Sequence, residues 1–96
     1  MAPWRLVELK ALPNFRLDVK FADGTAGVVD MADFLAGDLM GTVFAPLKDA
    51  GFFARAELEM GVPTWPGEID LAPDTLHREI KACGSYRMPA WSRKLA

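Results

Sequence analysis

Few side chains of the kinds that act as nucleophiles, bases or soft metal ligands occur in this chain of 96 residues. The only histidine is His77 and the only cysteine is Cys83, and both fall on one predicted helix. A separation of six residues places them far apart around a helix of about 3.6 residues per turn, which does not support a Cys–His nucleophile pair. Two such ligands are also too few for a structural zinc site. We predict no catalytic residue, no metal and no cofactor.

Three aspartates, Asp30, Asp33 and Asp38, lie within nine positions. Carboxylates this close can bind a hard cation or divide the roles of general acid and base. Their spacing does not match the calcium-loop pattern, however. Asp30 directly precedes an apolar stretch and is predicted to cap a short helix, with Asp33 in its first turn. We favour capping; the alternative is a small-ligand-binding protein or weak enzyme that uses the Asp30/Asp33 region.

The stretch from Trp65 to Asp74 is the most distinctive in the chain. Trp65 carries a large apolar surface, and because tryptophan is highly buried on average, we favour cover by the chain itself. The alternative is a shallow surface centred on Trp65 that binds a partner or a small ligand. Asp70 is predicted to cap the turn that leads into a helix starting at Pro73. Trp65 and Asp70 are therefore candidate partner-binding residues.

Charge is unevenly distributed along the chain. Residues 1–76 contain 6 Lys/Arg and 12 Asp/Glu, whereas residues 77–96 contain 5 Lys/Arg and one acid. We predict a single domain over residues 1–84 and a basic tail over residues 85–96. Aromatic and arginine side chains commonly anchor interfaces, so Tyr86, Arg87, Trp91 and Arg93 are candidate contacts for a partner; the alternative is a frayed terminus. The acidic body argues against a nucleic-acid role, and no sequence-specific nucleic-acid binding is expected.

Motifs that bind nucleotides are missing from the sequence. It contains neither of the glycine-rich phosphate loops nor the G-x-S-x-G turn of hydrolases. The strand aromatics Phe15 and Phe21 fall on the face assigned to the core, which disfavours an RNA-binding sheet. We therefore predict that the protein is not an enzyme.

The hydrophobic pattern predicts the elements that position these residues. Apolar and charged side chains alternate over Phe15–Phe21, which is typical of a strand with one buried and one wet face in an antiparallel sheet. Asp23-Gly24 suits a two-residue type I′ turn, which would place Val19 opposite Val28 with both side chains facing the core. With an earlier strand over residues 4–9, the first 30 residues are predicted to form a three-stranded meander.

Short helices and further strands are predicted to follow. Thr42 is expected to cap a helix over Val43–Leu47, and the alternation over Arg55–Met60 predicts a strand with Met60 facing inward. The segment Val62–Trp65 is predicted to return as an edge strand, because Pro63 would damage a central one.

A final helix is predicted from Pro73 to Cys83, with Leu76, Ile80 and Cys83 facing inward and Gly84 ending it. The fold class is α+β: an antiparallel sheet of four to five strands that opens with a three-stranded meander, short helices on one face and one C-terminal helix. Open sheet edges make a homodimer one expectation.

No apolar run approaches the roughly 18 residues that span a bilayer, and the N-terminus lacks the apolar core of a signal peptide. A single cysteine excludes an internal disulfide framework. We expect a cytoplasmic protein that does not associate with a membrane.

Several segments together resemble a known bacterial family. They are Asn14 to Gly24, Val29-Asp30, Phe44 to Leu47, Phe52-Phe53, and the run from Trp65-Pro66-Gly67 through Asp70-Leu71-Ala72-Pro73-Asp74 to Leu76. In this order they are similar to the family called domain of unknown function 2442, over about residues 4–77.

The resemblance implies a small α+β protein of uncharacterised activity, with no catalytic residue to carry over. Some members are fused to a helix-turn-helix domain or encoded beside small toxin-like proteins. The segment after Gly84 is too short for a helix-turn-helix unit, so direct DNA binding is not expected. We predict a non-enzymatic protein-interaction module, antitoxin-like or regulatory, whose partner is a small bacterial protein.

Overall fold

The chain forms seven strands, three α-helices and one 3₁₀ helix over residues 2–90, which are the residues described by the computed structural model. The elements are β1 (Leu6–Leu12), β2 (Arg16–Phe21), β3 (Ala26–Asp30), α1 (Ala32–Ala36), the 3₁₀ helix (Ala45–Lys48), α2 (Ala50–Phe53), β4 (Glu57–Glu59), β5 (Val62–Trp65), β6 (Ile69–Asp70), α3 (Pro73–Cys83) and β7 (Ser85–Arg87). Strands β1, β2, β3 and β7 form a four-stranded sheet in that order, and β4, β5 and β6 form a separate three-stranded sheet. The fold is α+β, as predicted.

Strand β2 shows the predicted alternation. Leu17, Val19 and Phe21 are fully buried, while Asp18 and Lys20 are exposed. Antiparallel pairing of β2 with β1 and β3 completes the predicted meander. One wall of the core is therefore the inner face of this meander.

The predicted register between β2 and β3 is wrong by one residue. The Phe21 N–H donates to the Thr25 carbonyl (2.7 Å), so the loop has three residues, and Gly24 occupies its left-handed position (φ 91°). Val19 consequently faces Gly27. A slip of one residue exchanges the faces of a strand, and Val29 rather than Val28 is the buried valine.

The main sheet is mixed, which corrects the predicted purely antiparallel sheet. Strand β7 runs parallel to β3, with Val29 beside Tyr86. A parallel neighbour requires a long crossover connection, and here the chain between β3 and β7, which ends in α3, supplies it. The first three residues of the predicted tail are thus a strand of this sheet.

The second sheet corrects the predicted place of Pro63. Strand β5 lies in the centre, between β4 and β6, and Pro63 is fully buried there. The turn Met60-Gly61 joins β4 to β5 through two residues with positive φ, so Met60 is 76% exposed instead of facing inward. In a two-residue hairpin the pair next to the turn is hydrogen-bonded and the following one, Leu58–Pro63, is not. The missing N–H of Pro63 therefore interrupts no bond to β4.

The helices differ in detail from the predictions. Helix α3 begins at Pro73 and ends before Gly84 (φ 84°), as predicted, and buries Leu76 and Ile80. Cys83 is exposed, because it lies at the point where the left-handed Gly84 turns the chain into β7. The predicted helix over Val43–Leu47 is instead the 3₁₀ helix Ala45–Lys48, with Phe44 rather than Thr42 at its N-cap position. The Thr42 hydroxyl accepts the Phe44 N–H (3.2 Å), one residue before the helix starts.

A single apolar core lies between the two sheets and the helices. None of the helices described is long and apolar enough to cross a bilayer. No polar or charged residue among residues 2–90 is buried. The core residues are Leu6, Leu17, Val19, Phe21, Val29, Met31, Phe34, Leu35, Leu39, Leu47, Phe53, Trp65, Ile69, Leu71, Leu76 and Ile80.

Candidate functional site

Trp65 is a core residue. It is 1% exposed, and its indole Nε1 donates to the Phe53 carbonyl across 2.8 Å inside the protein. The chain itself therefore covers this side chain and satisfies its one donor. A partner or ligand surface centred on Trp65 is contradicted by this burial.

Asp70 lies exposed on β6, on the rim of a surface recess that Arg5 also lines. It does not cap the helix that follows. Helix α3 has Ala72 at its N-cap position and receives no side-chain hydrogen bond there. The predicted capping role of Asp70 is wrong, and a role in partner binding stays a prediction.

The structure brings the Asp30/Asp33 region and the start of the predicted tail together. Arg87 Nε donates to Asp33 Oδ2 at 2.8 Å, and the Met88 N–H donates to the Asp30 carbonyl at 2.9 Å. Asp30 Oδ1 also accepts the N–H of Ala32, the first residue of α1, at 2.9 Å. Asp30 thus binds a free N–H at the start of the helix, although Met31 holds the N-cap position itself.

These contacts give the carboxylates of Asp30 and Asp33 a structural role. Asp33 and Arg87 neutralise each other at the surface, and Asp30 holds both α1 and the end of β7 in place. Within residues 2–90, no group of three His, Cys, Asp or Glu side chains is arranged to hold a metal ion. Tyr86 is half-buried against the core. The other two predicted tail contacts, Trp91 and Arg93, lie outside the described residues.

His77 has a partner that the sequence did not indicate. Its Nε2 lies 2.8 Å from Asp23 Oδ2, and its ring packs edge-on against Phe21 at a centroid distance of 5.0 Å. The Thr25 backbone N–H and the His77 side chain both bind the carboxylate and hold the pKa of Asp23 far below its usual range. This pair ties the β2–β3 loop to α3, a connection across 54 positions that no local motif predicts.

Phe15 departs most clearly from its predicted position. It lies just before β2 with a left-handed backbone (φ 58°), as does Asn14 (φ 64°), and its side chain packs against the edge of the core while remaining half-buried instead of lying inside it. Bulky side chains seldom adopt this conformation. The Phe15 carbonyl accepts the Met31 N–H at 2.9 Å, which holds the turn against the start of α1.

Two apolar recesses open beside Phe15. We refer to the two together as the Phe15 groove. One has a volume of about 440 Å³ and lies between the β1–β2 turn and α2. The other, of about 280 Å³, lies between Phe15, α1 and the 3₁₀ helix. Apart from Asn14 and Lys48 the lining is apolar: Ala11, Leu12, Pro13, Phe15, Ala50, Phe53 and Ala54 in the larger recess, and Phe15, Ala32, Leu35 and Ala36 in the smaller.

An aromatic series connects this groove with the core. The Phe15 ring packs edge-on against Phe53 at 5.4 Å, and Phe53 in turn lies 5.8 Å from Trp65. At the rim of the smaller recess stands Lys48, which is exposed and forms no ion pair with any residue from 2 to 90. The groove thus combines apolar walls with one available positive charge.

Comparison with known proteins places the chain in a family. The model of a family described as Protein of unknown function (DUF2442) matches residues 6–82. The chain belongs to this family. The DUF2442 match runs from β1 to the last turn of α3, so it contains every residue of the Phe15 groove. No curated protein and no solved structure matches the chain.

Proposed function

We propose that this DUF2442 protein is a non-enzymatic interaction module that binds an apolar, acidic segment of a partner protein in the Phe15 groove. The observation that carries the proposal is the left-handed backbone of Phe15 between two apolar recesses. A non-glycine residue held in this region costs on the order of 1–3 kcal/mol, and such strain concentrates at ligand clamps and switch regions.

The lining of the groove favours a protein segment as its occupant. Exposed Ala36 and Ala54 stand at the rims of the two recesses, and their small side chains leave room for larger apolar groups of a partner. Lys48 offers an ammonium group that an acidic residue of the partner would pair with. Interfaces of this type combine an apolar centre with a charged rim.

The biological role that we propose is antitoxin-like or regulatory, with a small bacterial protein as partner and the cytoplasm as location. Tyr86, Arg87, Trp91 and Arg93 remain proposed secondary contacts for the same partner. Of these, Arg87 already pairs with Asp33, so it would bind a partner only by exchanging that ion pair.

A second candidate function is the binding of a small apolar ligand. The larger recess, at about 440 Å³, falls within the size range of small-molecule sites. The Asp30/Asp33 region is less suited to a ligand, since both carboxylates already bind groups of the protein. The same groove variants test both functions.

The test uses selection from a displayed peptide library on the wild-type protein. We expect enriched peptides to share two apolar residues and an acidic one. Binding should weaken at least tenfold in Ala54→Arg, which fills the larger recess, and in Lys48→Glu, which reverses the rim charge. Both positions are exposed, so the fold should tolerate the changes.

Ala82→Arg is the matched control, because it places the same side chain on exposed helical surface of α3, away from the groove. It should bind the peptides like wild type. Peptides that bind the groove variants and the control equally well would refute the groove as the site. A thermal-shift screen with metabolites tests the small-ligand function. That function is favoured if a metabolite stabilises the wild-type protein, Ala54→Arg abolishes the stabilisation, and no peptide binds. Deletion of residues 91–96 tests the contribution of Trp91 and Arg93 separately.

A further inference from the structure

The loop between β2 and β3 contains the only Asp-Gly sequence of the chain, Asp23-Gly24. Such a bond is chemically weak, because glycine has no side chain to hinder attack by its own backbone nitrogen on the preceding carboxyl group. Both residues are exposed, so water reaches the bond. The loop therefore presents a site at which the backbone itself can be modified.

The modification proceeds through a five-membered ring. The Gly24 nitrogen attacks Asp23 Cγ and loses its proton, and one oxygen of the carboxyl group leaves as water. One water molecule then opens the ring, at the former side-chain carbonyl to restore aspartate, or at the backbone carbonyl to yield isoaspartate. The reaction needs no oxidant, reductant or cofactor. Isoaspartate carries the main chain through the former side chain and adds one methylene group to the backbone.

The folded loop restrains the nucleophile of this reaction. The Gly24 N–H donates to the Phe21 carbonyl at 3.0 Å, in a turn where Gly24 has a left-handed backbone (φ 91°). The nitrogen must give up this proton and turn toward Cγ in order to attack. The hydrogen bond of the turn therefore has to break before the ring can close.

The carboxyl group is held from two directions. Asp23 Oδ1 accepts the Thr25 N–H at 2.9 Å, and Oδ2 lies 2.8 Å from His77 Nε2. Since a carboxylate only accepts hydrogen bonds, the histidine nitrogen is the donor. Lys81 Nζ, one turn further along α3, lies 3.8 Å from the same oxygen. Rotation of the carboxyl group toward the Gly24 nitrogen is therefore opposed by α3.

The same contacts keep the carboxyl group ionised. The Thr25 backbone N–H and the His77 side chain hold the pKa of Asp23 far below its usual range. Water leaves readily only from the protonated acid, because the carboxylate would have to expel an oxide ion. Each unit by which the pKa rises increases the protonated fraction at pH 7 tenfold. Loss of the contacts would thus free the carboxyl group and also provide its leaving group.

We propose that His77 protects the Asp23-Gly24 bond from isomerisation, and that Asp23 becomes a site of isoaspartate formation when α3 moves away from the β2–β3 loop. Thr25 cannot give this protection alone, because it belongs to the same loop and moves with Asp23. His77 comes from 54 positions away, and its ring is fixed by edge-on packing against Phe21 at 5.0 Å. It therefore couples the chemistry of the bond to the packing of α3.

Isoaspartate at position 23 would not fit the loop. The extra methylene lengthens the connection between Phe21 and Thr25, whose backbone hydrogen bond of 2.7 Å sets the register of β2 and β3. The carboxylate that remains on Cα is one carbon shorter and loses its reach toward His77. Modification therefore removes the contact that had prevented it.

Peptide mapping after incubation at pH 7 and physiological temperature tests the proposal. Isoaspartate has the mass of aspartate, but its peptide separates by chromatography and is labelled by an isoaspartyl methyltransferase. We expect slow formation at position 23 in wild type and a rate about tenfold higher or more in His77→Ala. Lys81→Ala is the matched control on the same helix, because it removes a charge near Asp23 and keeps both hydrogen bonds. Its rate should stay close to that of wild type.

Two further measurements separate this contact from overall stability. Trp65→Phe removes a hydrogen bond to the Phe53 carbonyl in the core and should raise the rate far less than His77→Ala. Wild type unfolded in urea loses every contact and should isomerise at least as fast as His77→Ala in buffer. Equal rates in native and unfolded wild type overturn the proposal, as does a His77→Ala rate no higher than that of wild type or of Trp65→Phe. Phe15 lies at the opposite end of β2, so no outcome depends on the Phe15 groove.

Discussion

Gly27 is the point where α3 and β7 come closest to the main sheet. A Cβ atom at this position would lie 2.4 Å from the Gly84 carbonyl oxygen and 2.9 Å from Ile80 Cγ2. Neither neighbour is a flexible side-chain end: one is the backbone of the helix C-cap and the other is a buried branched side chain. Gly27→Ala should therefore push the end of α3 away from β3.

The size of the effect follows from the overlap. A contact of 2.4 Å must open by most of an ångström to reach ordinary van der Waals separation. Overpacking of this kind typically costs about 1–3 kcal/mol. Because a change of about 1 kcal/mol shifts the melting temperature of a domain this size by roughly 4–8 °C, we expect a decrease of about 5–20 °C.

Thermal unfolding followed by circular dichroism measures the decrease, and hydrogen exchange locates it. Protection should fall first in β7, which pairs with β3 directly beside the substituted residue. Gly51→Ala in α2 is the matched control, since its nearest neighbour, Asp49 Oδ1 at 3.3 Å, is a side-chain atom that has to move by only a few tenths of an ångström, and alanine favours the helix. A Gly27→Ala variant as stable as wild type, or one with unchanged exchange in β7, would refute the reasoning.

Two other substitutions test side-chain hydrogen bonds that join distant parts of the chain. Asp23→Asn removes a carboxylate whose pKa is lowered in the folded state, so the stability that the carboxylate contributes is present above its unfolded pKa of about 3.8 and is lost as the pH falls below it. Urea unfolding should show the variant clearly less stable than wild type at pH 7, with the difference reduced at pH 3; an equal difference at both values contradicts this. Trp65→Phe removes one of two hydrogen bonds to the Phe53 carbonyl, which keeps only the Ala56 N–H at 3.2 Å, and the loss of that bond should cost about 0.5–1.5 kcal/mol, measured by the same unfolding. A variant as stable as wild type would show that the indole hydrogen bond contributes nothing.

Periodic patterns in the sequence predicted the elements that depend on local chemistry. The alternation of apolar and charged residues predicted strand β2. Proline at the start and glycine just after the end predicted helix α3, and that glycine is left-handed in the structure. The β2–β3 register was harder, because Asp23-Gly24 fits both a two-residue and a three-residue loop. The choice between them decides whether Val28 or Val29 is buried, and it depends on packing against α3, which the hairpin sequence does not contain.

Features that join distant segments were not predictable from one sequence. The parallel pairing of β3 with β7 and the contact of His77 with Asp23 each cross more than half of the chain. The Phe15 groove is of the same kind, because it forms only where the β1–β2 turn meets two short helices. The left-handed backbone of Phe15 marks the groove, and the Phe15 carbonyl accepts a hydrogen bond from the Met31 N–H. Hydrophobic periodicity does not predict a backbone conformation of this kind.

The position of β7 has a consequence for how the protein is made. The meander from β1 to β3 closes through short loops, so it can assemble while the chain is still emerging from the ribosome. Its fourth strand comes from beyond the second sheet and α3, and until those residues are synthesised the β3 edge has no neighbour. A nascent chain therefore passes through a stage with both edges of the meander open, during which a chaperone or a second nascent chain could bind in place of β7.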